Sequence, residues 1–158
     1  MMKKAFFTLA TLILTLVLFL SCGGEEYSRL DPENVVSMEF AGNWSIFIDV
    51  QSDAQNSWKS EGMGTVDKDG LFSIRMITDG EESSDEILFN EFVRKLISLT
   101  SDVEKIASAA SEQEITVSGN PYLEINKKRT NIKMDFTAEK PSENQKFAVK
   151  INLQKTEK

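Results

Sequence analysis

The side chains in this chain that could carry chemistry are few, and their types set narrow limits. Cys22 is the one thiol among 158 residues, and there is no histidine. A lone thiol closes no internal disulfide, and without histidine the chain lacks the commonest general base and the commonest metal ligand. Carboxylates stand in adjacent pairs, Glu81-Glu82 and Asp85-Glu86. Such pairs can serve acid–base work, yet acids in a polar loop or at a helix start are equally placed there by solvation and the helix dipole. Asp67-Lys68-Asp69-Gly70 reads as half a calcium loop, but the third ligand and the distal Glu are missing. The same residues make a tight turn, with Gly70 taking the positive-φ position. No glycine-rich phosphate loop follows a strand pattern, and no serine sits in a nucleophile elbow. The expectation is a protein that is not an enzyme and binds no metal or cofactor.

The thiol has a distinctive setting. Lys3 and Lys4 precede an uncharged apolar run from Ala5 to Leu20, closed by Ser21-Cys22. A run of about sixteen falls short of the roughly twenty residues that span a bilayer, and suits a cleavable leader. The stretch resembles a bacterial lipoprotein signal peptide. Its lipobox would be Phe19, Leu20, Ser21 and Cys22; Ser21 and Cys22 match the family pattern, Phe19 replaces the preferred Leu, and Leu20 is bulkier than usual. The resemblance implies removal of residues 1–21, acylation of Cys22 and attachment to a membrane. Each buried CH₂ contributes about 0.8 kcal/mol, so two or three acyl chains hold for practical purposes permanently. The next residue is Gly23 rather than the Asp that retains such proteins in the inner membrane, which points to the outer membrane. With Cys22 acylated, no thiol is left for other chemistry.

The rest of the chain is long enough for a single domain with its own core. The net charge is −7, and a leader with two lysines and no acid makes the exported part more acidic still. That speaks against nucleic acid or an anionic bilayer as a partner of the whole surface, since both reward a basic face. The acids are unevenly spread: residues 25–90 hold 15 acids and 4 bases, residues 91–158 hold 10 and 12. The one basic cluster is Lys127-Lys128-Arg129, a solvated turn or a site for an anionic ligand or an acidic neighbour.

Residues 22–34 read as a lipidated tether, polar and without apolar periodicity; about a dozen flexible residues would hold the domain some 20 Å off the lipid. Residues 35–158 read as one β-rich domain. Trp44, Ile46, Ile48 and Val50 alternate with Ser45, Phe47 and Asp49, and residues 57–66 and LFSIRMIT flank the Asp67–Gly70 turn as a hairpin. Asp79 to Ser84 reads as an acidic loop. The period then changes: Leu88, Phe89, Phe92, Val93, Leu96, Ile97 and Leu99 recur at helical spacing. Ser83 with Glu86 and Ser101 with Glu104 mark possible starts, so the helical stretch from about Asp85 to Ala110 is one helix or a pair broken near Thr100. Period 2 then returns in EITVSG, in YLEI beyond an Asn120-Pro121 turn, in Ile132, Met134 and Phe136, and in Phe147, Val149, Ile151 and Leu153. The fold expected is mainly β, with α+β as the alternative: an antiparallel meander of about 7–8 strands forming a small barrel or sandwich, with a helix or helix pair inserted near residues 84–110.

Gly42-Asn43-Trp44 at the start of the first long strand resembles the Gly-x-Trp signature of lipocalin-like β-barrels. The resemblance implies an interior lined by Trp44, Ile46, Ile48, Met76, Ile132, Met134, Phe136, Val149 and Ile151, with Trp44, Ile46, Met134 and Phe136 as ligand-binding candidates. Two functions therefore compete. One is an envelope lipoprotein whose non-catalytic binding or structural domain engages a protein partner. The other is a carrier of a small apolar ligand. A filled core favours the first, and an apolar cavity of about 300 Å³ or more favours the second.

Overall fold

A computed structural model of the chain describes residues 24–31, 33, 35, 40–52 and 57–156. Cys22, the leader and the first residue after the lipobox lie outside the described residues. Among the described residues the domain is a single antiparallel sheet of eight strands with one long helix across it. The strands are β1 (Tyr27–Arg29), β2 (Gly42–Ser52), β3 (Trp58–Val66), β4 (Leu71–Thr78), β5 (Glu81–Leu88), β6 (Thr116–Asn126), β7 (Asn131–Lys140) and β8 (Gln145–Thr156). Helix α1 (Phe89–Ala109) joins β5 to β6, and a short 3-10 turn, Pro141–Glu143, joins β7 to β8. The strand order is β1-β6-β7-β8-β2-β3-β4-β5. Two meanders, β2 to β5 and β6 to β8, are thus joined through the β2–β8 pair.

The expected mainly-β antiparallel meander is what forms, but it closes into neither a barrel nor a sandwich. The sheet stays open, with β1 and β5 at its edges. Both edges explain why. β1 is three residues long. On β5 the positions sharing the inner face with Ile74, Met76 and Thr78 are Asp85, Ser83 and Glu81, which cannot be buried in a closed interior. Short and charged edge strands also resist pairing with other chains.

One face of the sheet is the core. Trp44, Ile46 and Ile48 of β2 lie between Leu153 and Ile151 of β8 on one side and β3 on the other. Ile132, Met134 and Phe136 of β7 continue the same face. Their β3 partners are Gly64 and Gly62, opposite Trp44 and Ile46. A Cβ on Gly64 would stand 2.4 Å from the Phe72 ring, and one on Gly62 2.5 Å from the Met76 sulfur. The missing side chains on β3 let the large ones on β4 fold over it.

Helix α1 covers this face with Phe89, Val93, Leu96, Thr100 and Val103, spaced by three and four as a buried stripe requires. It is continuous through Thr100, whose hydroxyl donates to Ile97 O at 2.8 Å and needs no break in the helix. Leu99, expected on the stripe, faces solvent at 58 % exposure. The helix also starts later than about Asp85. Residues 81–88 pair with β4 from Thr78↔Glu81 to Leu71↔Leu88, so the stretch read as loop and helix start is a strand. Neither Ser-x-x-Glu box caps the helix: its N-cap is Leu88, without a side-chain bond, and the Phe89 amide donates to Gly70 O at 2.9 Å.

Two further expectations are corrected. The TVSG of EITVSG and YLEI belong to the one strand β6, with a bulge between Asn120 and Glu124 in place of a turn, while Glu114 and Ile115 precede it. Pro121 is tolerated because β1 pairs only with Glu124–Asn126, beyond it. Within the stretch expected as tether, residues 27–29 form β1, and Leu30 is buried in the core with its amide bonded to Leu123 O at 2.8 Å. The chain from Cys22 to the fold is therefore a few residues long, not a dozen.

Candidate functional site

The expected interior residues are brought together, as packing. Trp44, Ile46, Met134 and Phe136 are at most 3 % exposed and belong to one hydrophobic cluster with the buried stripe of α1. At the Gly42–Trp44 corner the Trp44 indole N–H donates to Phe40 O at 2.7 Å. The Phe89 ring sits at the centre of an aromatic group, 4.8 Å from Phe40, 5.3 Å from Trp44 and 5.2 Å from Phe72 between centroids. Trp44 also borders a surface recess beside β2 and β3, and Ile46 a second one. Gly42 adopts φ +132°, and a Cβ there would stand 2.6 Å from Lys155 Cε. Lys155 is also the cross-strand partner of Trp44. Only the β2–β8 register brings Lys155 to the corner.

The recesses of the surface are open. One of about 880 Å³ on the outer face of β2 to β5 is lined by Asn43, Thr65, Ser73, Arg75, Ser84 and Glu86 among others. Beside it, a recess of about 500 Å³ is lined by Phe47, Met63, Ile77, Arg75, Glu82 and Asn152 among others. Met63 is 68 % and Ile77 50 % exposed, and they are diagonal neighbours, since Met63 opposes Arg75 and Ile77 opposes Glu61. Arg75 Nε donates to Glu82 Oε1 at 2.6 Å, and this pairing holds the Glu82 carboxyl below its ordinary range and the guanidinium above its own. A third recess, about 400 Å³, lies where α1 ends, between Ile106, Ile115 and Phe147.

The carboxylate pairs lie on the open edge strand. Glu81, Glu82, Asp85 and Glu86 are exposed along β5; Glu82 is paired with Arg75, and Glu86 accepts a bond from the Ser73 hydroxyl at 3.3 Å. Asp67 is used within its turn, its Oδ1 accepting from the amides of Asp69 at 2.8 Å and Leu71 at 2.9 Å. Among the described residues no group of His, Cys, Asp and Glu could hold a metal ion, and no helix is long and apolar enough to cross a membrane.

One polar assembly had no sequence signal. Asn126, 1 % exposed, accepts from the amides of Thr130 at 2.8 Å and Asn131 at 2.9 Å through Oδ1. Its Nδ2 donates to Thr130 Oγ1 at 2.9 Å and to Glu25 Oε1. Tyr27 OH reaches Glu25 Oε2 at 3.0 Å and Asn131 Oδ1 at 3.1 Å. Lys133 Nζ lies 3.6 Å from the Tyr27 ring centroid. Arg29 stacks 4.2 Å over the Tyr122 ring and donates to both oxygens of Glu104 on α1, at 3.0 and 3.3 Å. The N-terminal segment is thereby clamped to the β6–β7 turn, which carries Lys127, Lys128 and Arg129.

Comparison with protein-family models, with curated proteins and with solved structures found no match. The class defined by the fold is an open, antiparallel eight-stranded sheet with its inner face covered by one helix.

Proposed function

We propose that the chain is a lipoprotein of a bacterial envelope, anchored by acylated Cys22 in the outer membrane, with a non-catalytic domain that engages a protein partner through the outer face of its sheet. The anchor rests on the leader and lipobox residues and on Gly23 after the cysteine. For the domain, the supporting observation is the contrast between its two faces. The inner face is filled by large buried side chains, whereas the outer face exposes Met63 and Ile77 beside Phe47, rimmed by the Arg75–Glu82 pair. An apolar centre with a charged rim is how protein-binding patches are built.

Labelled palmitate should enter the wild-type protein and not Cys22→Ser; equal labelling of both would overturn the anchor. A photo-crosslinking residue at Met63 should give a discrete heavier adduct in intact cells, while one at Leu99, on the opposite layer, should not. Monomer alone from Met63 would count against the partner.

The carrier reading keeps one supporting observation, the recess between Ile106, Ile115 and Phe147, whose volume of about 400 Å³ matches small-ligand sites. A fluorescent fatty-acid titration without saturable binding to high micromolar would remove it.

A further inference from the structure

The way the N-terminal segment docks fixes which part of the domain lies nearest the anchor. Gly24 is two positions after Cys22, and two steps of chain span at most about 7 Å. From there Glu25 is bonded to Asn126, the Lys127 amide donates to Glu26 O at 3.0 Å, and Tyr27 pairs with Asn126 in β1. The β6–β7 turn is therefore the part of the fold next to the point where the chain leaves for the lipid. By the antiparallel register, the start of β2, the β3–β4 turn and the end of β8 lie at this same end of the sheet. The β4–β5 turn, the end of α1 and the turn between β7 and β8 lie at the other.

The two ends differ in charge. The end near the anchor carries Lys127, Lys128 and Arg129 in its turn, with Lys155 where β8 approaches Thr130. Glu25 and Glu26 face this turn, Glu26 at 3.5 Å from Lys127, and the β3–β4 turn at the same end adds Asp67, Lys68 and Asp69, so that five bases stand there against four acids. The far end carries Asp79 and Glu81 around the β4–β5 turn and Glu112 and Glu114 after α1, while its Lys59, Lys140 and Lys146 are paired with Glu61, Glu143 and Glu139, and Glu82 with Arg75.

Resting on the reading of Cys22 as the acylated anchor, we propose that the β6–β7 turn is a membrane-contact surface: Lys127, Lys128 and Arg129 lie against the anionic headgroups of the membrane that holds Cys22, and the acidic end points away. A basic segment within a Debye length of an anionic leaflet is drawn to it, and acids are repelled. The tether is too short to lift the turn clear. The outer face of the sheet then stands beside the membrane rather than on it, open to a partner.

The test uses the full acylated protein, purified in detergent and reconstituted into vesicles of phosphatidylcholine, with and without phosphatidylglycerol. A water-soluble amine-acetylating reagent is applied and each lysine is read by mass spectrometry. In vesicles with phosphatidylglycerol, Lys127 and Lys128 should lose reactivity relative to detergent and to phosphatidylcholine alone, whereas Lys105 and Lys146 should not change. Equal protection at both ends, or none at the turn, overturns the proposed contact. The same spectra report the N-terminal peptide. Unmodified Cys22 overturns the anchor and this contact with it, while acylated Cys22 with an unprotected turn overturns the contact alone.

Discussion

Asn126 and Glu25 are bonded side chain to side chain across 101 positions of sequence. This contact makes a segment that looks like a leash part of the fold. It holds because Asn126 does two things at once: its oxygen organises the β6–β7 turn by accepting from the amides of Thr130 and Asn131, and its Nδ2 donates to the Glu25 carboxylate.

The two halves of that side chain can be separated. Asn126→Ala leaves two turn amides without an acceptor inside the protein, which should cost about 1–3 kcal/mol in urea denaturation. Asn126→Asp keeps the acceptor for both amides but sets a second carboxylate against Glu25. It should spare the turn and undock β1, seen as faster hydrogen exchange confined to Tyr27–Arg29. Uniform loss of protection through β6 and β7 with Asp would contradict this division.

Docking of β1 should also have an acid and an alkaline limit. The Asn126 hydrogen bond, followed by that of Tyr27, holds the Glu25 carboxyl below its ordinary range. A depressed carboxyl stabilises the docked form above its unfolded value, and the contribution is lost as pH falls through the folded one. The Tyr27 phenol is shifted up, by burial first and then by Glu25. Its contribution is present below the ordinary phenol value and is lost as pH rises through the raised one. Backbone NMR shifts of Tyr27–Arg29 should therefore hold steady between these limits and move beyond each. In Glu25→Gln the acid transition should vanish; its persistence would assign it to another group.

The contrast between β1 and the helix shows what patterning can reveal. The stripe of Phe89, Val93, Leu96 and Val103 is readable because one helix face is buried along its whole length. The alternation of Trp44, Ile46 and Ile48 is equally plain. β5 was hidden because its inward positions beside Ile74 and Met76 are Asp85 and Ser83, the residues of an open edge. Its signal lay in the turn: Asp79-Gly80, with φ of 50° and 90°, is the two-residue hairpin connection that joins twisted strands. β1 had no signal of its own. Tyr-Ser-Arg becomes a strand by pairing with Glu124–Asn126, and its side chains are held by Asn131, 104 positions away, and Glu104, 75 positions away. Long separation in sequence likewise hid Lys155 at the Gly42–Trp44 corner.

At that corner, Gly42 is constrained by its backbone more than by its neighbour. Ala there would bring its Cβ against Lys155 Cε, the far part of a flexible side chain that can swing aside. The φ of +132° has no such relief. Gly42→Ala should destabilise by about 1–3 kcal/mol, the usual cost of a side chain in that region. Adding Lys155→Ala should restore only a minor part. Full restoration in thermal denaturation would mean that crowding, not backbone strain, fixes the glycine.

Phe89 and Leu99 provide the sharpest test of how α1 is seated. Both are large and apolar, and both fit a helical stripe by spacing. Phe89 is fully buried between Phe40, Trp44 and Phe72, at the point where its own amide is tied to Gly70. Removing its ring empties the centre of the aromatic group, which rigid strands on one side and the helix on the other cannot readily close. Phe89→Ala should cost about 3–5 kcal/mol. Leu99 stands 58 % exposed, so its removal leaves no cavity, and Leu99→Ala should change stability by no more than about 0.5 kcal/mol. Comparable losses for the two in urea denaturation would mean that the helix is rotated from the seating described, with Leu99 toward the sheet.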